Sequence, residues 1–329
     1  MNGSNGGTLD TFVYDRRSQE VRRVSVSTDG TPVVDYQSRG GPPSISADGR
    51  YVAFPSLAKL LASDTNSVSD IYVYDLQTNQ LSLASTSASG VVGNAASTRA
   101  SISPDGHFLA FTSQSTNLTG DGAAGLFFKN LQTGAISLIS RRTNGQPATG
   151  SFGLSSRAIS RDGKFVVFTS SDGNLVAGDT NGWEDVFVYN ASAGSISAVS
   201  VSSAGQWSNT RTLPFISASI SDDGSSVIFN SEGTNLVAND TNGFPDIFFH
   251  RLSTHQTIRV SLGTDGQQLF GQTPPSIGLI SGGVPLVTVE SSGLSDDGQI
   301  ALFTAYPADN LYSCGYIKRA GKQAFVRDI

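Results

Sequence analysis

Cysteine is almost missing from this 329-residue chain, and with it a class of architecture. The single Cys314 excludes an internal disulfide framework and any cysteine-based zinc cluster. No apolar run approaches the roughly 18 residues of a transmembrane helix. Met1-Asn2-Gly3-Ser4-Asn5-Gly6-Gly7 is polar where a signal peptide needs an apolar core; a removed leader and a cut from a longer chain are both readings compatible with that. Charged residues make up 15% of the chain, against about 25% in an average domain, and hydrophobic residues 38%, so the signature of disorder is absent. A formal charge of −6 and a pI near 5.0 argue against a nonspecific nucleic-acid binder. No window carries a helical period. There is no Gly-x-Ser-x-Gly elbow, phosphate-cradling loop or dinucleotide fingerprint. The three histidines, His107, His250 and His255, lack metal-ligand spacing, and Cys314 reads as a small buried residue.

What is present is a repeat. Ile45-Ser46-Ala47-Asp48-Gly49-Arg50-Tyr51-Val52-Ala53-Phe54 returns as Ile102–Phe111 and Ile159–Phe168, and again around Asp223-Gly224 and Asp297-Gly298. The turn glycines lie 57, 57, 61 and 74 residues apart. Each unit divides into four short strands, a to d. Strand a ends in Ile-Ser, and Asp-Gly is expected to form a two-residue hairpin turn, because Gly accepts positive φ. Strand b is the β-branched and aromatic Tyr51–Phe54 type, and strand c the Ile71–Asp75, Val186–Asn190 and Ile247–His250 type. Strand d alternates, as in Ile196–Val201 and Thr257–Ser261.

Four-stranded units in series predict an all-β fold, a β-propeller. Length divided by period gives about 5.8, so six blades are expected, with five as the alternative, in a single domain over residues 1–329. Four units are complete. The chain opens on a strand c (Thr11–Asp15) and a strand d (Val21–Val26), and closes on a strand c (Ala324–Asp328). The 74-residue interval holds an extra segment, 274–289, readable as a degenerate half-blade or an inserted hairpin.

These stretches, with Asp179-Thr180-Asn181-Gly182-Trp183-Glu184-Asp185-Val186-Phe187-Val188-Tyr189, resemble the TolB-like propeller repeat, a WD-repeat-like family. The resemblance covers nearly the whole chain. It implies a propeller of bacterial origin, periplasmic or secreted, that binds partners; fold alone does not fix activity.

Between strands b and c, three units share one frame: Asp64, Asn66 and Asp70; Asp179, Asn181 and Asp185; Asp240, Asn242 and Asp246. Oxygens at loop positions 1, 3 and 7 suit a hard cation, which takes six to eight, and calcium is the expected ion. The same residues also suit an Asx-turn opening strand c. The second unit departs from the frame, since Gly125 replaces the last Asp. Trp183 and Phe244 hold equivalent loop positions and read as ligand platforms or blade packing.

Strand order puts the b–c loops and the d–a connectors on one face. Those connectors carry Arg39, Arg99, Arg157 and Arg211, an expected anion-binding mouth, or else partners for Asp64, Asp179 and Asp240. Three functions follow. One is a noncatalytic propeller that binds a small anionic or lactone ligand, or a protein partner, on its loop-rich face. The second is a calcium-dependent hydrolase of lactones or esters, acyl-homoserine lactones among them, with Glu290 as base; propeller lactonases and esterases work by calcium rather than a triad. The third is a structural module of a larger envelope protein.

Overall fold

The computed structural model describes residues 10–27, 41–210, 218–241, 243, 245–262, 266, 268, 290–297, 299–305 and 323–328. No helix occurs among them, so none is long and apolar enough to cross a membrane. The chain divides into two compact units, Met1–Val166 with Tyr189–Ser195, and Val167–Val188 with Ile196–Ile329. In the first unit β1 (Phe12–Asp15) pairs with β2 (Glu20–Arg23). Next come β3 (Ser44–Ile45), β4 (Tyr51–Ser56), β5 (Asp70–Asp75) and β6 (Gln80–Leu83), antiparallel in chain order. The same order holds for β7 (Ser97–Ile102), β8 (Phe108–Ser113), β9 (Gly125–Asn130) and β10 (Ile136–Leu138). A further sheet orders β11 (Phe152–Gly153), β12 (Phe165–Ser170), β13 (Asp185–Asn190) and β14 (Ser195–Ala198). The second unit holds β15 (Ser219–Ile220), β16 (Ser226–Ser231), β17 (Asp246–Arg251) and β18 (Gln256–Arg259). It also holds the three-stranded β19 (Glu290–Leu294), β20 (Ile300–Ala305) and β21 (Gln323–Asp328). The four units complete in sequence are thus four complete sheets. The segment 274–289 lies outside the described residues.

Strands b and c lack a polar face because both faces of the sheet are covered. Val52, Phe54, Tyr72 and Tyr74 pack with Val24 and Leu60 on one side. Their alternates Ala53, Ile71 and Val73 pack on the other with Ile102, Leu109, Phe111, Phe127 and Leu138. Period-two geometry thereby shares each strand between two cores. Cross-strand rings repeat from sheet to sheet: Phe54–Tyr72, Phe111–Phe127, Phe168–Phe187 and Phe229–Phe248, with centroids 6.0, 5.7, 5.8 and 5.6 Å apart. Phe111 is fully buried, and its truncation to Ala costs about 3–5 kcal/mol.

The a–b hairpins correct the expected two-residue turn. Ile45 pairs with Val52 and the Ser46 N–H donates to the Tyr51 carbonyl (2.9 Å), so four residues, 47–50, form the loop. Serine sets this length. The Ser46 hydroxyl donates to Asp48 (2.6 Å) and accepts the Tyr51 N–H (2.9 Å), while Asp48 also accepts the Arg50 N–H (3.0 Å). Ser103, Ser160 and Ser221 repeat the arrangement with Asp105, Asp162 and Asp223. Gly49 closes the turn at φ 74°. Gly106, at φ 76°, has a second duty: a Cβ there would stand 2.3 Å from the Tyr51 ring, so the tyrosine of one sheet lies on the turn of the next. Phe108 lies on Gly163 in the same way.

Candidate functional site

The three acidic frames begin strand c one residue earlier than expected, because Asp70 and Asp246 pair with Ser56 and Ser231. Asp70, Asp185 and Asp246 are fully buried. In the first frame the Asn66 amide nitrogen donates to Asp70 Oδ2 (2.7 Å) and the Gly93 carbonyl (2.9 Å), and its oxygen accepts the Val68 N–H (2.9 Å). Ser85 donates to Asp70 Oδ1 (2.6 Å) and accepts the Ile71 N–H (3.0 Å). Asp64 accepts the Tyr72 hydroxyl (2.6 Å). Asn181, Asp185 and Ser200 repeat this set, with Trp183 giving its N–H to Asn181 (2.9 Å). In the last frame Ser261 donates to Asp246 (2.5 Å), and Arg259 Nη1 stands 3.3 Å from both Asp240 and Asp246. Asn242 and Phe244 lie outside the described residues.

A calcium site needs oxygens converging on one point. Here asparagine presents its nitrogen to the carboxylate, and its oxygen is taken by a backbone N–H. The placed asparagine, serine and last aspartate of the first two frames therefore form a hydrogen-bonded latch at the start of strand c, while Asp179 Oδ1 is buried with no hydrogen-bond partner among the described residues. Among the described residues no group of three His, Cys, Asp or Glu stands close enough to hold a metal. Burial raises Asp70 and Asp179 above the usual carboxylate range and Asp185 to about 6, outweighing the Ser200 and Asn181 hydrogen bonds.

The second unit of the repeat is different. At Gly125 the aspartate is missing; Ser140 still accepts the Leu126 N–H (3.0 Å), and with Leu138 it occupies the space where a Cβ would go. Beside it opens a cavity of about 580 Å³, lined among others by Thr98, Arg99, Thr112, Gln114, Gly125 and Phe152. Arg99 sits in β7 where the register breaks between Thr98 and Ala100. Its φ of 47° is left-handed, rare for a residue with a side chain. Gly41 makes room for it: a Cβ at Gly41 would come 3.1 Å from Arg99 Cα and Cγ. Among the described residues the Arg99 guanidinium has no hydrogen bond or ion pair, and no carboxylate lines the cavity. A second cavity, of about 770 Å³ in the other unit, is lined by Arg259, whose charge is already paired with Asp240 and Asp246.

Of the four arginines expected at one rim, Arg39 and Arg211 lie outside the described residues. Arg157 is exposed and has other interactions. It stands two residues before Ile159 whereas Arg99 stands three before Ile102, so the two are out of register in the repeat. Glu290 opens β19, where its backbone pairs with Thr304. Cys314 lies outside the described residues. Trp183 is 46% exposed. His107 lies in a turn, its Nδ1 3.2 Å from Asp105, rather than opening strand b.

Sequence reasoning missed the fifth residue of strand c, which reaches the strand d region of the preceding sheet. Tyr74 accepts from Arg22 of β2 (2.7 Å). Lys129 is buried and donates to the Ala84 carbonyl (2.9 Å), the Thr86 carbonyl (2.7 Å) and the Thr86 hydroxyl (2.6 Å); burial lowers it to about 8. His250 works through Thr257. The Thr257 hydroxyl donates to the Val201 carbonyl (2.5 Å), so His250 Nδ1–H is the donor to Thr257 (2.9 Å), and the buried Nε2 has no partner. Burial, with His255 nearby, lowers His250 to about 4.

No family profile and no curated protein matches this chain. Solved structures do. A putative TolB from Agrobacterium tumefaciens is similar at 14% identity and TM-score 0.48, over 99% of this chain and 86% of that one. TolB from Acinetobacter baumannii is similar at 16% identity and TM-score 0.43, over 92% of this chain, which spans 58% of that protein. The β-propeller domain of the Trilobed protease from Pyrococcus furiosus is similar at 13% identity and TM-score 0.47, over 88% and 68%. The similar structures are TolB and other β-propeller proteins, and at these identities no activity passes from them to this chain.

Proposed function

We propose that this chain is a noncatalytic binding module whose ligand seat is the Arg99 cavity, and that the ligand is an anion. One observation carries this reading: an unpaired guanidinium, held on a left-handed bulge, in a cavity that no described carboxylate lines. Such backbone costs about 1–2 kcal/mol and persists where the surroundings hold it, commonly at ligand sites. The last aspartates of the first two frames, Asp70 and Asp185, are held by their own amides and hydroxyls, and Arg259 is paired. The regular 57-residue interval favours six blades as the repeat count.

Calorimetric titration with a panel of small anions tests the seat. Binding is expected in the wild type and lost in Arg99→Ala, with unchanged melting. Alongside it, a lactone and chromogenic-ester panel with and without EDTA tests the calcium-hydrolase alternative. Turnover that EDTA abolishes would overturn the noncatalytic reading, and stoichiometric calcium on elemental analysis would overturn the latch.

A further inference from the structure

The Arg99 cavity also constrains the kind of anion. Resting on the reading above, we infer that it selects a small hydroxylated monocarboxylate, and that the repeat made room for this ligand by giving up one acidic frame. The charge count comes first. Arg99 is the only cation lining the cavity among the described residues, and no helix end is present to add positive charge. A single positive charge in a partly enclosed space balances a monoanion and leaves a phosphate dianion half compensated. The planar fork of arginine matches the planar carboxylate, with two parallel N–H···O bonds.

The remaining polar groups suit hydroxyls. The Thr112 hydroxyl donates to the Thr98 carbonyl (2.8 Å) and lies 3.0 Å from Thr98 Oγ1. Thr98 therefore donates to Thr112 and keeps lone pairs free to accept a ligand O–H. The exposed Gln114 side chain makes no hydrogen bond among the described residues, so its amide offers both a donor and an acceptor. Ala123, Pro147, Ala148 and Phe152 supply apolar surface for the C–H faces of a carbon chain. A volume of about 580 Å³ falls in the ordinary small-molecule range of about 300–1,000 Å³.

The repeat shows how the site arose. The residue three before the Ile-Ser step is Arg99 in this unit, Pro42 in the one before and Ser156 in the one after. In the same unit Gly125 stands where the other three complete sheets place Asp70, Asp185 and Asp246. Gain of the arginine and loss of the aspartate coincide in one repeat, and both residues line the one cavity. A retained carboxylate beside that cavity would have competed with the ligand for Arg99.

Four probes test the inference by titration calorimetry on the whole chain: gluconate, sorbitol, acetate and inorganic phosphate. Gluconate is expected to bind, with sorbitol, acetate and phosphate each weaker by at least about tenfold, the scale of one charge-assisted hydrogen bond. Arg99→Lys keeps the charge and loses the fork, and is expected to weaken gluconate by about tenfold. Gln114→Glu, at an exposed position, places a negative charge at the rim and is expected to weaken gluconate while leaving the melting temperature in place. Sorbitol equal to gluconate, or no gluconate binding, overturns the class. Phosphate binding more tightly than gluconate, and depending on Arg99, overturns the class while the anion seat stands. Anion binding indifferent to both Arg99 variants overturns the seat itself.

Discussion

Acid should loosen the second unit through one imidazole. Neutral His250 bridges its sheet, by way of Thr257, to the Val201 carbonyl, and its second nitrogen is buried with no acceptor. Protonation would place a new N–H and a charge there. In the folded chain burial, aided by His255, takes the group from an ordinary 6.5 down to about 4. The unfolded chain therefore binds this proton first. The stability that neutral His250 contributes is complete above pH 6.5 and is lost as pH falls toward 4. At about 1.4 kcal/mol per pH unit, the loss over that window is about 3 kcal/mol. Asp185 works in the opposite sense. Its folded value of about 6 lies above the ordinary 3.8, so its protonation favours the fold as pH falls through 6. The wild-type curve alone would hide part of the effect, and the comparison with His250→Gln isolates it. Urea unfolding at steps from pH 7.5 to 4.5 should show the wild type losing stability relative to the variant by about 3 kcal/mol. Two curves that stay parallel across the window would refute the reasoning. Because Tyr74 and Tyr189 fill the same strand position, His250→Tyr is a second variant expected to remove the pH dependence.

Gly106→Ala should destabilise by more than Gly49→Ala, since both residues have left-handed backbone but only Gly106 lies under a ring; about 1–2 kcal/mol is expected for Gly49, and equal losses in chemical denaturation would remove the Tyr51 contact from the account. Ser85→Ala strips a hydroxyl from the buried Asp70 carboxylate and from the Ile71 N–H, and a loss of about 1–3 kcal/mol is expected by the same assay. Lys129→Met takes the ammonium from the Thr86 carbonyl and hydroxyl and leaves the Ala84 carbonyl with the Thr86 N–H alone, at about 1–3 kcal/mol near neutral pH. Because Lys129 sits at about 8 in the fold, below its ordinary 10.5, the wild type should gain on this variant as pH rises through that interval; a constant difference would contradict the burial.

Strands b and c were legible because they carry apolar residues against two cores, and composition cannot disguise that. Strand c was placed to within a residue at its start, the error being the aspartate that looks like loop and pairs like strand. The serine that lengthens each hairpin was in plain view at 46, 103, 160 and 221, yet its role rests on hydroxyl direction, which spacing does not carry. Asparagine was ambiguous for a related reason: the type is the same whether the oxygen or the nitrogen faces the aspartate, and the neighbouring Val68 N–H and Gly93 carbonyl orient Asn66. The strand-to-strand bridges were invisible because tyrosine, lysine and histidine share no signature except position. Arg99 was singled out as one of four, but its bulge and its unpaired charge belong to tertiary structure.

The ring of Tyr51 seated on Gly106, and that of Phe108 on Gly163, mean that the stretch of chain which copies itself is not self-sufficient. At these two junctions one copy brings an aromatic that is received by the copy after it, and the receiving copy brings the glycine; in the fourth copy the same position is Ser226. Growth or shrinkage of such a chain during evolution is then expected to proceed by whole duplications or deletions that preserve this hand-off. A graft from an unrelated protein would arrive without either half, and a drift at one position would be tolerated only with a matching drift one repeat away.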